Sequence, residues 1–512
     1  MVPLVLDVRE VRRQALNGQL SVEQLLHIIE QQQRTIDGLK RETQRWLERL
    51  AHYEPEVRRE SRQASDTASD TASDTARDTA AAPATSYSVD AEERRRGPRR
   101  RWKKSTGRRP TALKFADAQR TEDIYPPGVR RRDCPLVRER AVWRLQDGKA
   151  VRVGYRIFAA PGGQEGRIPG VTPRCEYGIE ILVVLAFLVY VIGMSLDKAC
   201  AVLAFFCQLP LQKSQADALL RQLAQHWDQD FDAVCALLAR AAVVYMDETG
   251  WKVGSQGCSL WAFAAEGLRV FLFGCHKDDA TLDQMLPPDI FGGVGVSDDA
   301  AVYQGRFQQA QKCWAHLLRK MIKLALLYPR RKTYQRFLDQ LLKLYHDAKR
   351  AAADGRLGEA GRRQRVAELE DRLCDLCLPC WRRYWRVTTA DLPGPDHEFS
   401  KLVNELLRLM EAKELFTFVL LPAVEPTNNG SERQLRNPAQ DRKAGRTNKT
   451  ATGAHRRSVI VSVLESLRAN LPQFNLATVL AEVQRWLTEG ISSFARLWHD
   501  IQECEAAVPN SS

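Results

Sequence analysis

Apolar positions recur at different periods along this chain, and the changes of period mark its organisation. From Ser21 the repeat is heptadic, with Leu25, Gln32, Leu39, Trp46 and Tyr53 at one position and Ile29, Ile36, Thr43 and Leu50 at the other. Ser21-Val-Glu-Gln24 has the form of a capping box that opens the helix. The pattern suits a dimeric coiled coil. It suits equally a two-sided helix packed on its own domain, because Gln32, Thr43 and Gly38 weaken the seam. Residues 115–175 mix short apolar runs, such as 151–158, with glycine and proline, and predict a small β-rich module. Residues 176–240 read as helix throughout. Within them, 195–207, a break at Gln208-Leu-Pro210 and 214–227 fit either a helix-turn-helix or two core helices. The apolar run 181–194 falls short of the roughly twenty residues that span a membrane and predicts a buried core helix.

From Ala241 the pattern shortens to strands. Residues 242–247 are apolar up to an acid, 259–265 and 268–274 follow as a meander, and 279–286 form a short helix. Residues 293–298 make another strand ending in an acid, and 310–314 a fifth. Residues 330–414 return to helix, with Tyr334, Phe337, Leu338, Leu341 and Tyr345 on one face. Asn429 opens a further helix. Three hairpin-forming strands, a helix, a fourth strand and more alternating α and β is the order of a ribonuclease-H-like α/β core. The expected organisation is an N-terminal helix or coiled coil (1–58), a linker (59–92), a basic segment with a small module (93–175) and a helical region (176–240). The core then runs over 241–329 and 415–470, split by a helical insertion (330–414) and followed by a helical tail (471–512).

Composition changes this picture in two places. Ser-Asp-Thr-Ala repeats at 65–68, 69–72 and 73–76 are too poor in apolar residues to fold, which makes that stretch a linker. The net charge of +13 is concentrated: residues 94–114 carry eleven basic side chains, among them Arg99, Arg100, Arg101, Lys103 and Lys104, and no acid. Trp102 lies among them and suits stacking on a base. Such a run favours a polyanionic partner and binds phosphates even as a solvated linker. The twelve cysteines show no disulfide framework, and the first residues lack a signal-peptide pattern, so the expectation is a reduced, cytoplasmic protein.

The candidate chemistry lies in the acids that close strands. Asp247 ends Val-Val-Tyr-Met-Asp and Asp298 ends Val-Gly-Val-Ser-Asp. In the expected fold the ends of the first and fourth strands lie side by side, so the two acids can face one metal pair, as two-metal phosphoryl transfer requires. Glu248 and Asp299 are adjacent competitors, although a strand sends neighbours to opposite faces. Glu432 has two roles open to it. Asn429-Gly-Ser-Glu432 has capping-box form, and a position in the first helical turn also suits a metal ligand.

Four segments in order carry a resemblance: Met-Asp-Glu-Thr-Gly-Trp (246–251), Val-Ser-Asp-Asp-Ala-Ala-Val-Tyr (296–303), Cys-Trp-Ala-His-Leu-Leu-Arg-Lys (313–320) and Asn-Asn-Gly-Ser-Glu-Arg-Gln-Leu-Arg (428–436). From about 176 to 485 the chain resembles the insertion-sequence-66-type DDE transposases. The resemblance implies that Asp247, Asp298 and Glu432 hold two Mg²⁺ (or Mn²⁺) ions and catalyse cleavage of transposon ends and strand transfer. It implies DNA contacts by Arg433 and Arg436; the charge of the 433–457 stretch, eight basic residues including Arg442 and Lys443 against one acid, Asp441, suits DNA passing there. His316, Asn428 and Asn429 are expected behind the acids or on DNA, with a purely structural histidine as the other reading of His316. The implied partners are double-stranded DNA, a second copy of the chain and accessory proteins of the same element, with no membrane.

Two departures from the family pattern stand out. Cys134 and Cys175 lack the paired cysteines of the family's zinc module, so no zinc is expected there. Thr427 replaces an aspartate before the paired asparagines. Cys374-x-x-Cys377-x-x-Cys380 has iron–sulfur-like spacing but no fourth cysteine nearby, which favours thiols packed in a helical core. The rival functions are a decayed, non-catalytic DNA-binding protein and a structure-specific nuclease on the same fold.

Overall fold

A computed structural model describes residues 109–384 and 394–507. The heptad segment, the repeats and the basic run as far as residue 108, including Arg99, Arg100, Arg101, Lys103 and Lys104, lie outside the described residues. The two described members of that run are not free charges: Arg109 pairs with Asp117 at 2.5 Å and Lys114 with Glu176 at 2.7 Å.

After helix α1 (Thr111–Ala116), strands β1 (Arg120–Ile124), β2 (Leu136–Gln146) and β3 (Lys149–Phe158) form a sheet in the order β1-β3-β2. Asp147 and Gly148 turn the β2–β3 hairpin with φ of 48° and 76°. Asp-Gly tolerates that pair of positive φ values, and its twist matches the strands it joins. Val142, Val153, Tyr155, Ile157 and Ile168 make a small core of their own.

Helix α2 (Ile179–Ala186), continued by one π-turn to Val191, accounts for the long apolar run and is buried along most of its length. No described helix is long and apolar enough to cross a membrane. Helix α3 (Leu196–Cys207) is capped by Ser195 and ends on a left-handed Gln208; α4 (Lys213–Leu238) then contributes eleven buried residues to the main core.

The second sheet has five strands: β4 (Val243–Val253), β5 (Gln256–Ala265), β6 (Leu268–Cys275), β7 (Val294–Ser297) and β8 (Gln309–Lys312). Helix α5 (Asp279–Met285) joins the meander to β7. The order is β6-β5-β4-β7-β8, antiparallel in the meander and parallel from β4 through β7 to β8. Two expectations need correction. Asp247 does not end its strand, because β4 continues to Val253 by pairing with β5 as far as Val253↔Gln256. Trp314 is not in β8: with Cys313 as N-cap it starts helix α6 (Trp314–Leu327).

Helices α7 (Lys332–Ala353), α8 (Glu359–Tyr384) and α9 (Gly394–Glu411) follow, with the single turn α10 (Thr417–Leu420). Their apolar faces join α6 in a second core that also takes in Val294 and Val296 of β7. Cys377 is fully buried there, and the Cys374 thiol meets the Met410 sulfur at 3.7 Å. Helices α11 (Asn429–Lys443), α12 (Ala451–Asn470), α13 (Leu476–Glu489) and α14 (Ser493–Ala507) complete the described chain.

Helix α12 seals the outer edge of the sheet. Ser458, Ser462 and Ser466 accept the N–H groups of Phe273, Phe271 and Arg269 at 2.9, 2.8 and 2.9 Å. Four residues of helix rise about 6 Å, close to the ~6.6 Å of two strand residues, so the two rows keep register. An otherwise open strand edge is thereby closed to further pairing.

Candidate active site

Strand alternation sends Val244 and Met246 into the main core, while Tyr245 and Asp247 take the other face. Strand β4 pairs in parallel with β7 as far as Tyr245↔Val296. Two residues further on, Asp247 and Asp298 therefore stand opposite one another. Asp298 follows β7 directly, and its Oδ1 accepts the Ala300 N–H at 3.0 Å, which holds the carboxylate in a tight turn.

The third acid reaches the site through Asn428, which is fully buried. Its Nδ2 donates to the Met246 carbonyl at 2.6 Å and its backbone N–H to the Cys313 sulfur at 3.2 Å. One side chain thus fastens the start of α11 to β4 and to the head of α6, and leaves Asn428 no surface for DNA. Asn429 is exposed at the first helical position.

Glu432 lies one turn on. Its carboxylate is not a helix cap: the N-cap is Asn428, which puts Glu432 one position late for a capping box, and no side chain caps this helix. Instead its Oε1 accepts from Arg319 Nη2 at 2.6 Å and lies 3.6 Å from His316 Nδ1.

Burial raises the Asp247 carboxyl to about 7, helped by the charges of Glu248, Asp298 and Glu432. Three acids distant in sequence thus act on one another. Burial and the Arg319 charge hold the His316 imidazole below its ordinary value, despite Glu432 and Asp298.

The neighbouring acids are engaged elsewhere. Glu248, opposite Trp261 on β5, is almost buried and pairs with Lys277 and the Tyr303 hydroxyl. Asp299 pairs with Arg408. Behind Asp298, the buried Lys312 donates to Ser297 Oγ at 3.2 Å and the Tyr303 carbonyl at 3.4 Å, and burial lowers its pKa. Sequence reasoning missed Arg319, Lys277, Tyr303 and Lys312. Arg319 had a signal, since it lies one helical turn after His316 on α6. Lys277 had none, because it approaches Glu248 from the loop after β6.

The basic stretch 433–457 divides. Arg433, Arg436, Lys443 and Lys449 are exposed. Arg442 donates to Thr249 Oγ1 at 3.0 Å and to the Gly250 carbonyl at 2.6 Å, bracing the far half of β4. Arg457 is buried on Asp441 against the rings of Trp251 and Phe273, Arg446 holds the same carboxylate at 3.0 Å, and Arg456 pairs with Asp217 at 2.7 Å. Half of the eight cations, Arg442, Arg446, Arg456 and Arg457, therefore hold the fold together. Cys134 and Cys175 are each buried, the Cys134 thiol donating to the Arg130 carbonyl at 3.6 Å.

A mixed five-stranded sheet with acids converging beside its central strand defines an α/β protein with an acid-lined site. The family model for the transposase IS66 family matches residues 174–456, more than half of the chain and all three acids. The chain belongs to that family. No curated protein matches it.

Proposed function

We propose that this transposase cuts DNA at the ends of its element and joins the freed 3′ ends to target DNA. In this reading the sheet and its acids form a ribonuclease-H-like catalytic core. Asp247, Asp298 and Glu432 hold two Mg²⁺ or Mn²⁺ ions. The observation that carries it is the β4–β7 register that stands Asp247 opposite Asp298, with the Asp247 carboxyl raised to about 7 by burial first and then by the charges of Glu248, Asp298 and Glu432. Hard carboxylate oxygens brought together against their own charge suit a divalent cation. Bound ions would polarise the phosphate and stabilise the attacking and leaving oxygens.

The chain's own residues supply position and charge. Asn428 and the β4–β7 register set the three carboxylates, and Glu432 exchanges Arg319 for an ion. Exposed Arg433 and Arg436, on the helix that carries Glu432, suit DNA phosphate, as does Lys443 further along it. Arg442 serves through β4. The protein acts on double-stranded DNA as a homo-oligomer, a dimer holding two ends, with accessory proteins of its element, in the cytoplasm at the nucleoid.

Cleavage of an end-containing duplex in Mg²⁺ tests the proposal. Glu432→Gln keeps size but loses charge, so cleavage should fall on the order of a thousandfold or more. DNA binding in chelator should persist. Cleavage near normal in the variant would remove Glu432 from the site. Wild-type binding without cleavage in either ion would leave a DNA-binding protein, and cleavage without joining a nuclease.

A further inference from the structure

Next to the three carboxylates lies a group of different chemistry. Single ligand atoms of Cys313, His316 and Glu432 all lie within 4.8 Å of one another. We infer that these three residues bind a thiophilic divalent cation of the zinc class, at a site that shares Glu432 with the all-oxygen one and differs from it in its sulfur and nitrogen donors. This goes beyond the catalytic reading and does not depend on it.

The donor set is sulfur, nitrogen and oxygen, which suits zinc and is poorly matched to Mg²⁺. Ligands at about 2.0–2.3 Å around a tetrahedral ion stand roughly 3.3–3.8 Å apart, so the three atoms need close by only about an ångström. The cluster is built from two anchored elements. Cys313 caps α6, and Asn428 donates its backbone N–H to the sulfur at 3.2 Å. Burial, with the Glu432 charge, raises the Cys313 thiol above its ordinary value despite the Asn428 N–H, so the ion would take the sulfur by displacing its proton. His316, three residues on, stands on the same side of the helix.

An independent observation points to a ligand. His316 Nδ1 is buried and has no hydrogen-bond partner, an uncommon state for a polar atom out of water. It faces Glu432 Oε1 at 3.6 Å, just beyond hydrogen-bond reach. An ion between them would satisfy both. Arg319, whose side chain is half exposed at 53%, now holds that oxygen and can swing into solvent when the ion binds. The His316 and Glu432 side chains remain 32% and 24% exposed, leaving a side open for water or a phosphate oxygen as fourth ligand. Such an ion would also fix the first turn of α11, and with it the direction of the third carboxylate.

Co²⁺ titration of the metal-free full chain reads the site directly. The expected result is a near-ultraviolet thiolate-to-cobalt band with strong visible absorption of tetrahedral type, abolished by Zn²⁺ and unaffected by millimolar Mg²⁺. Cys313→Ser should lose the thiolate band. His316→Gln should weaken Co²⁺ binding by more than the about tenfold to hundredfold that loss of an outer-shell partner costs. Asp247→Asn with Asp298→Asn should leave the band unchanged. No band in the wild type, or a band that survives in Cys313→Ser and so comes from another cysteine, overturns the inference. Thermal melting of the metal-free variants checks folding; if Cys313→Ser unfolds, His316→Gln decides, and unchanged affinity there overturns it. Cleavage is not the readout, so an inactive protein that gives the band loses only the catalytic reading.

Discussion

Asp247 carries a charge that its surroundings resist. Burial and the nearby acids raise its carboxyl to about 7, whereas an unfolded aspartate titrates near 3.9. Over the interval between these values the folded chain keeps a proton that the unfolded chain has lost. This contribution to stability is therefore complete below about pH 4, declines as pH rises and is gone above about pH 7. In chelator, melting temperature should fall across that window, and Asp247→Asn should remove this part of the fall and melt higher at pH 8. Divalent ion should raise the wild-type melting temperature at pH 8 and that of Asp247→Asn much less. A variant that melts lower than wild type at pH 8 in chelator would mean that the carboxylate is stabilising. Glu432 rests on Arg319 and Glu248 on Lys277, so each of these two acids has a cation beside it.

At the scale of elements, the contact between α12 and β6 depends on small hydroxylated side chains one helical turn apart. Ser462 is fully buried and accepts the Phe271 N–H at 2.8 Å. Ser462→Ala leaves that N–H without a partner, which should cost about 1–3 kcal/mol. Urea denaturation measures it as a lower midpoint with an unchanged slope. An unchanged midpoint would show that the edge needs no side-chain acceptor. The serine row was open to view at 458, 462 and 466, yet a period of four on a helix does not reveal that its neighbour is the edge of a sheet. Strand β4 teaches the converse. Its apolar run stops at the acid, and the more polar continuation to Val253 forms because β5 supplies backbone partners along its whole length.

At the scale of the whole molecule, one buried ion pair ties two consecutive helices together against the central strand. Arg457 of α12 grips Asp441 of α11 beneath the Trp251 ring of β4, and both side chains are under 10% exposed. A cation buried this deeply tolerates no loss of its partner. Asp441→Ala should cost about 3–5 kcal/mol, whereas Asp441→Leu with Arg457→Met, which removes both charges, should cost less. Chemical denaturation of the single and double variants compares them, and a double variant no better than the single would locate the cost in packing rather than charge. Arg457, Arg456 and Arg446 are engaged in ion pairs, which leaves Arg433, Arg436, Lys443 and Lys449 as the exposed cations of the stretch.

The alternation of apolar and polar residues determined the α/β class, the order of strands and helices, and the positions of Asp247 and Asp298 at or near the ends of apolar runs. The ordered motifs carried enough information to identify the family, because each joins a local structural signal to a chemical one. Both kinds of information are local, and a strand or helix period is set within a few residues. Tertiary structure alone decided that Asp247 meets Asp298 through the β4–β7 register and that Asn428 brings Glu432 to them. It also decided which arginines face solvent, and that Cys313, His316 and Glu432 converge. These outcomes depend on which elements become neighbours, and sequence distance says nothing of that: Glu432 meets Arg319 across 113 residues, and Asn428 meets Met246 across 182. A carboxylate's function is set by the charges within a few ångströms of it, and here those charges come from several separate segments of the chain.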